Sequence, residues 1–236
     1  MGQRFKRILL KLSGEYLGGQ KGQGFDPETV LNLSELICQI QKRGIEIGIV
    51  LGGGNFFRGA KASKIKMNRV SGDQIGMLAT VMNSMCLKES LLSMNQKCSL
   101  MTGLPMPLVA ESFNRQKAVK CLEEGEIVIF GGGTGNPYFS TDSAAALRAL
   151  EINADIVIKG TKVDGVYDKD PVTNSDAIKF DKLDYTEVLK RDLKVMDATA
   201  IALLRENNLP LCVLDITNDK DLIGFLDGKA VGTLVE

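Results

Sequence analysis

Residues 45–54 read Ile-Glu-Ile-Gly-Ile-Val-Leu-Gly-Gly-Gly, an apolar run that stops abruptly in three glycines. A run this short, and this rich in branched side chains, suits a strand buried on both faces of a parallel sheet. The glycines suit a tight turn into the next element. The same grammar recurs along the chain. Arg7–Lys11 precedes Ser13-Gly14, Ile127–Phe130 precedes Gly131-Gly132-Gly133, Asp155–Lys159 precedes Gly160-Thr161, and Leu211–Leu214 precedes Asp215. Lys97–Met101 offers a further strand.

Helical patterns lie between these runs. Asp26-Pro27 supplies an N-cap and a first-turn proline, Val30, Leu33, Ile37 and Ile40 form one stripe, and Gly44 supplies the stop. Met77–Met94, Ser143–Leu150 and Ala198–Asn207 read as three more helices. Strands alternating with helices predict an α/β fold with helices on both faces of a mostly parallel sheet. No long repeat, low-complexity tract or linker divides the chain, so a single domain of residues 1–236 is expected, with any boundary between lobes near Lys159.

Composition narrows the function. Lys and Arg total 29 and Asp and Glu total 29, so the chain lacks the basic surplus of a general nucleic-acid binder. No apolar run reaches the roughly 20 residues that a membrane helix needs, and the start, MGQRFKRILLKLSG, has too short an apolar stretch for a signal peptide. The five cysteines (Cys38, Cys86, Cys98, Cys121, Cys212) show no C-x-x-C spacing and read as buried thiols of a reducing compartment. A cytoplasmic protein without nucleic-acid or membrane partners is expected. Histidine is absent, which excludes His-based triads and His metal sites and favours chemistry that needs no general base at neutral pH.

Ligands of open α/β sheets bind beyond the carboxyl ends of the strands, and there the glycines concentrate. In Gly52-Gly53-Gly54-Asn55-Phe56-Phe57-Arg58-Gly59, Ala60 and Lys61 break the Walker A pattern, and Phe57 breaks the Rossmann one. What remains is a bare-backbone turn, suited to phosphate oxygens at a helix start, with the Arg58 guanidinium as a bidentate clamp. Gly131–Asp142 leaves a strand and enters a helix capped by Ser140 or Thr141, with backbone donors and hydroxyls enough to wrap a nucleotide acceptor. Lys11-Leu12-Ser13-Gly14 can set an ammonium beside phosphates. Each feature alone also fits a plainer role. The glycines then serve βα connections, Lys11 is a solvated strand end, and Asp142 answers the helix dipole. Asp73 could cap a helix beginning near Gln74, Asp197 could cap the next one, Tyr167 could simply pack, and the methionines from Met77 to Met94 could fill a core or a subunit interface.

From end to end the chain resembles the bacterial uridylate kinases of the amino acid kinase superfamily. The resemblance is carried by Lys11–Glu15, Gly52–Arg58, Asn68-Arg69 with Asp73, Gly76–Met82, Thr134–Asp142, Lys159–Tyr167 with Asp170, and Val195–Asp197. TGNPYFSTDSAA and TKVDGVYDKDP are its most specific stretches, since relatives that phosphorylate carboxylates or carbamate differ there. Gly132, Tyr138, Ser140 and Gly160 depart from the commonest family residues, but none removes a charged group.

The resemblance implies a three-layer α/β/α sandwich around a central, mostly parallel eight-stranded sheet, assembled as a homohexamer. It implies an acceptor lobe of about residues 1–158 and an ATP lobe of about 159–236. The implied reaction is ATP + UMP to ADP + UDP, in de novo pyrimidine nucleotide biosynthesis, with Mg²⁺ accompanying ATP. By matching position, Lys11, Leu12, Ser13, Gly14, Gly54, Arg58, Thr161, Tyr167 and Asp170 should contact ATP. Gly53, Asp73, Thr134, Gly135, Asn136, Pro137, Tyr138, Phe139, Ser140 and Thr141 should contact UMP, with Asp73 on the ribose hydroxyls. Asp142 and Asp197 correspond to acidic organisers near the reacting phosphates, and with Lys11 and Arg58 complete the catalytic set. Gly19, Gln20, Lys21, Gly22, Gln23 and Gly24 correspond to a segment linked with GTP activation; Arg115 is a further candidate there, and UTP is the candidate inhibitor. Two other functions compete: a superfamily kinase for a carboxylate or carbamate, expected to lack the Thr134–Thr141 loop, and a nonenzymatic nucleotide sensor or oxyanion store, which could lose Lys11 or Asp142.

Phosphoryl transfer needs alignment and charge neutralisation more than covalent help. The acceptor phosphate, with a second pKa of about 6, is largely a dianion at neutral pH, so the barrier is repulsion between polyanions. Lys11 is expected to stabilise the transferred group, with Arg58 bridging donor and acceptor.

Overall fold

The computed structural model describes residues 4–57 and 65–236. Its first half runs β1 (Arg7–Leu12), α1 (Gly14–Leu17), a 3-10 turn (Gly19–Lys21), α2 (Pro27–Gln41), β2 (Glu46–Leu51), α3 (Arg69–Ser93), β3 (Cys98–Thr102) and β4 (Glu111–Ser112). There follow α4 (Arg115–Glu123), β5 (Ile127–Gly131), α5 (Thr141–Glu151), β6 (Ile156–Thr161), β7 (Val166–Tyr167), β8 (Lys179–Phe180) and β9 (Lys182–Leu183). The last elements are α6 (Tyr185–Lys190), α7 (Ala198–Glu206), β10 (Leu211–Asp215), α8 (Asp219–Leu226) and β11 (Thr233–Val235).

Nine strands join one sheet in the order β4-β3-β5-β2-β1-β6-β10-β11-β9, and β7 pairs with β8 in a separate ribbon. Every pairing in the large sheet is parallel except β10 with β11. The sheet has nine strands where eight were expected, and the two at its edges, β4 and β9, are only two residues long.

Alternation along β1 sorts the layers. Ile8, Leu10 and Leu12 face one way and pack with Leu33 and Ile37 of α2, Leu87 and Leu91 of α3, and Leu222 and Phe225 of α8. Leu9 faces the other way, with Cys121 and Leu122 of α4, Ala145, Ala146 and Ala149 of α5, and Ile201 and Leu204 of α7. Helices thus cover both faces, the expected three-layer arrangement. Small residues let α5 lie close to the sheet, and that matters because Lys11 shares the face of Leu9.

The expected caps hold at α2, where Asp26 accepts from Thr29 N at 2.9 Å and Pro27 opens the helix. At α3 they do not. The helix begins at Arg69 rather than near Met77, and Asn68 caps it by accepting from Val70 N. Asp73 therefore lies inside the first turns and caps nothing.

Candidate functional site

β1 is the central switch of the sheet: β2 lies on one side of it and β6 on the other, both parallel. Chain crossing to opposite sides leaves a crevice at the carboxyl ends of the strands. Lys11 sits one residue before the end of β1, directly across from Lys159 on β6. In-register residues of neighbouring strands point to the same face about 4.8 Å apart, so two lysines stand side by side where their charges would repel.

Asp142 answers both. It lies in the first turn of α5, whose N-cap Ser140 accepts from the backbone N–H of Asp142 and of Ser143. Lys11 Nζ is 2.7 Å from Oδ1 and Lys159 Nζ is 3.0 Å from Oδ2. Lys159 Nζ also donates to Val195 O at 2.5 Å. Burial alone would push the Asp142 carboxyl up, but the Lys11 and Lys159 ammonium groups outweigh it and hold the carboxyl below the usual range. Burial, with Lys11 beside it, draws Lys159 below the ordinary lysine value, against the pull of Asp142 and Asp197.

Asp197 completes the cluster from α7. It caps that helix, accepting from Ala200 N at 2.9 Å, and its carboxylate also accepts from the hydroxyls of Ser140 and Ser143. Its helix-capping role and its place beside the cluster therefore coexist in one side chain. Among the described residues no three His, Cys, Asp or Glu side chains converge as a metal-ligand set; Asp197 accepts from protein donors, and Asp142 is ion-paired to a lysine on each oxygen.

Two cavities meet at this point. One of about 590 Å³ is lined by Lys159, Thr161, Tyr167, Asp170, Lys194 and Val195, among others. The other, of about 200 Å³, is lined by Lys11, Ser13, Glu15, Lys159, Thr161 and Lys162. Lys159 and Thr161 belong to both, so the larger space opens onto the lysine cluster. Tyr167 donates its hydroxyl to Asp164 Oδ1 at 2.5 Å, which raises the phenol above its ordinary range and fixes the ring at the cavity wall. Asp170 uses Oδ1 to brace its own turn through Val172 N. Leu12 is fully buried, so only its backbone can face the crevice. Ser13 caps α1. Gly14 is held where a Cβ would come within 2.4 Å of Gly52 O, so the loops after β1 and β2 touch backbone to backbone.

The described part of the second loop is a turn closed by Phe56 N and Phe57 N onto Gly53 O, with Gly54 within it. Arg58 lies outside the described residues. Gly53 backs onto α3, where a Cβ would meet Ala79 and Gly76 O at 2.8 Å.

The loop after β5 folds back toward the start of α3. Asp73 accepts from Tyr138 N at 2.7 Å and forms an ion pair with Arg69 at 2.7 Å. The Arg69 guanidinium lies 5.4 Å from the centre of the Tyr138 ring. Tyr138 takes a left-handed φ of 73°, rare for a side chain of this size. Thr134 Oγ1 braces Asn136 through both its N–H and its carbonyl. Gly135, at φ 82°, lies against Gly103, where a Cβ would come within 2.4 Å of the carbonyl oxygen. Pro137, Phe139 and Ser140 carry the loop to Thr141, the first residue of α5; Asp73 ties this loop to α3, the helix that Gly53 also backs onto.

Gly19, Gln20 and Lys21 form the 3-10 turn, Gly22 follows as its left-handed cap, and Gln23 and Gly24 return the chain toward α2. This segment makes no bond to the lysine cluster among those described, but Gly24 bonds Asn55 through N–H and carbonyl alike. Lys159 was not among the residues singled out from the sequence. Its signal was available: like Lys11, it closes an apolar run that leads into a glycine-containing turn.

The family model for the amino acid kinase family matches residues 6–215. A uridylate kinase of Alcanivorax borkumensis is 50% identical over 233 residues, which cover 99% of this chain and 92% of that protein. A uridylate kinase of Bacteroides thetaiotaomicron is 47% identical over 232 residues, 98% of each. Among solved structures, the UMP kinase of Bacillus anthracis superposes with a TM-score of 0.95 at 40% identity, over 98% of this chain and 96% of that one. The UMP kinase of Ureaplasma parvum gives 0.93 at 36% identity, over 99% of each chain.

Proposed function

The chain belongs to the amino acid kinase family, and we propose that within it this protein transfers the γ-phosphoryl group of ATP to UMP, giving ADP and UDP. The observation that carries the reading is the Lys11–Asp142–Lys159 cluster, set where two glycine-rich loops meet a cavity of nucleotide size. Two ammonium groups braced by one carboxylate would present fixed positive charge at the place where a phosphoryl group passes. Preorganised charge of this kind costs no reorganisation during reaction. The acceptor is itself a phosphate, so no side chain need remove a proton.

The larger cavity, with Thr161, Tyr167 and Asp170, takes ATP in the lobe from residue 159 onward. Its phosphates reach Lys11 and the backbone of Leu12 to Gly14 and Gly54. UMP lies on the other side, along Gly53, Asp73 and Thr134 to Thr141, in the lobe before residue 159. Asp73, braced by Arg69 and by the Tyr138 N–H, would receive the ribose hydroxyls. Arg58 bridges the two nucleotides. Mg²⁺ would enter with ATP and neutralise phosphate charge; a small hard cation held mainly by phosphates and water suits a site whose aspartates are already engaged by lysines and hydroxyls. Asp142 and Asp197 would be its nearest carboxylates.

The exposed stripe of Ile75, Leu78, Met82, Met85 and Leu92 along α3 supports self-association, consistent with a homohexamer in the cytoplasm. GTP at the segment Gly19–Gly24 is the proposed activator, with UTP as inhibitor.

The test is Lys11→Ala. With ADP release followed at saturating Mg·ATP and UMP, kcat should fall by about 10²-fold or more, with a near-native melting temperature. Unchanged turnover would remove Lys11 from the chemistry.

A further inference from the structure

Asn83 lies inside α3, fully buried, and Asn55 in the loop after β2 is 5% exposed. Their side-chain amides pair reciprocally: Asn55 Nδ2 donates to Asn83 Oδ1 at 2.9 Å, and Asn83 Nδ2 donates to Asn55 Oδ1 at 2.7 Å. Each amide spends its second N–H on a loop carbonyl. Asn83 Nδ2 donates to Gly52 O at 2.6 Å, and Asn55 Nδ2 donates to Gly24 O at 2.7 Å. Gly14 packs onto the same node, where a Cβ would come within 2.5 Å of Asn55 Oδ1 and 2.7 Å of Asn83 Nδ2. Four separate segments therefore converge on two side chains: the loops after β1 and β2, the stretch ending at Gly24, and the middle of α3.

A buried, fully satisfied amide pair specifies one geometry, and losing one member leaves the other's polar atoms stranded. Neither amide is aimed at the crevice; each is used up within the node. We propose that Asn55 and Asn83 are positioning residues for phosphoryl transfer, locking the loops after β1 and β2 in register and tying the Gly19–Gly24 segment to them. The inference rests on the kinase reading for its consequence, but its geometry does not.

The experiment compares Asn83→Ala and Asn83→Asp with the wild type by turnover and by hydrogen exchange. Asn83→Ala should lower kcat per folded molecule by roughly 10- to 100-fold, the scale of a small misplacement of reacting groups, with the KM for UMP changed far less. Exchange should quicken together in residues 13–25 and 52–57, while the body of α2 stays protected. Asn83→Asp should add a pH signature. Burial favours the neutral form of the introduced carboxyl, which can still donate one hydrogen bond to Gly52 O or Asn55 Oδ1. Once ionised it only accepts and repels both oxygens. The ratio of variant to wild-type kcat should therefore fall as pH rises. A flat ratio, with turnover within 2-fold of wild type for folded Asn83→Ala, would overturn the proposal. So would unchanged exchange in both segments, a readout that stands even if the wild type fails to turn over UMP.

Discussion

Asp142 has one lysine ammonium beside each of its oxygens, and Asp142 and Lys159 answer pH in different intervals. The folded carboxyl titrates below its ordinary value of 3.8. Its contribution to stability is thus in place above that value and is lost only as pH falls through the lowered one. The acid limb of activity must come from elsewhere, and the acceptor phosphate supplies it. kcat/KM for UMP should fall with a single-proton slope below about pH 6, where UMP gains a proton. Lys159 answers in a higher interval. Its folded value lies below the ordinary 10.5, so the unfolded chain holds that proton more tightly and stability rises with pH through the interval between them. Activity should decline over that interval, because the ammonium beside the phosphates is lost. A pH–rate profile checks both limbs; an acid limb near pH 4 instead would assign it to a carboxylate.

At the scale of elements, caps and registers carry the argument. Asp26 caps α2 through Thr29, and the helix packs Leu33 and Ile37 onto the sheet beside β1. Asp26→Ala should cost about 1 kcal/mol of stability, read as a shifted denaturant midpoint with an unchanged slope; no shift would mean that packing alone fixes the helix start. The buried strands were legible in the sequence to within a residue or two, because their apolar runs end in glycine or a small polar residue. The start of α3 was not. Arg69 to Gly76 holds two glycines and several polar residues, which hide the helical period, so Asp73 looked like a cap when it is in fact bound to Arg69 and Tyr138. The two-residue edge strands leave no period to detect. Of the site, Lys11, Asp142 and Asp197 were named from the sequence and lie together in the fold, while Lys159 was not named as a site residue and comes in only through the register that sets it across from Lys11. The Asn55–Asn83 pair has no sequence signal, since a buried asparagine in a helix looks like an exposed one.

The whole molecule is a doubly wound sheet whose central strand carries the cluster, with both hydrophobic layers anchored on β1. The layers differ in what they leave uncovered. α5 is sealed against the sheet, whereas α3 exposes Ile75, Leu78, Met82, Met85 and Leu92 along one side. Met82→Glu places a charge in that stripe and should reduce the particle size in sedimentation while leaving the circular dichroism spectrum unchanged. A wild-type protein already monomeric at high concentration would refute the assembly. The proposed reading sets donor and acceptor on opposite sides of one cluster, so identity of the acceptor is the most direct test of the whole account. Initial rates of ADP release with Mg·ATP should be measured against UMP, CMP, dUMP, glutamate and carbamate in parallel. Turnover with UMP far above every other acceptor is the predicted result. Preference for glutamate or carbamate, or ATP binding without turnover of any acceptor, would contradict it.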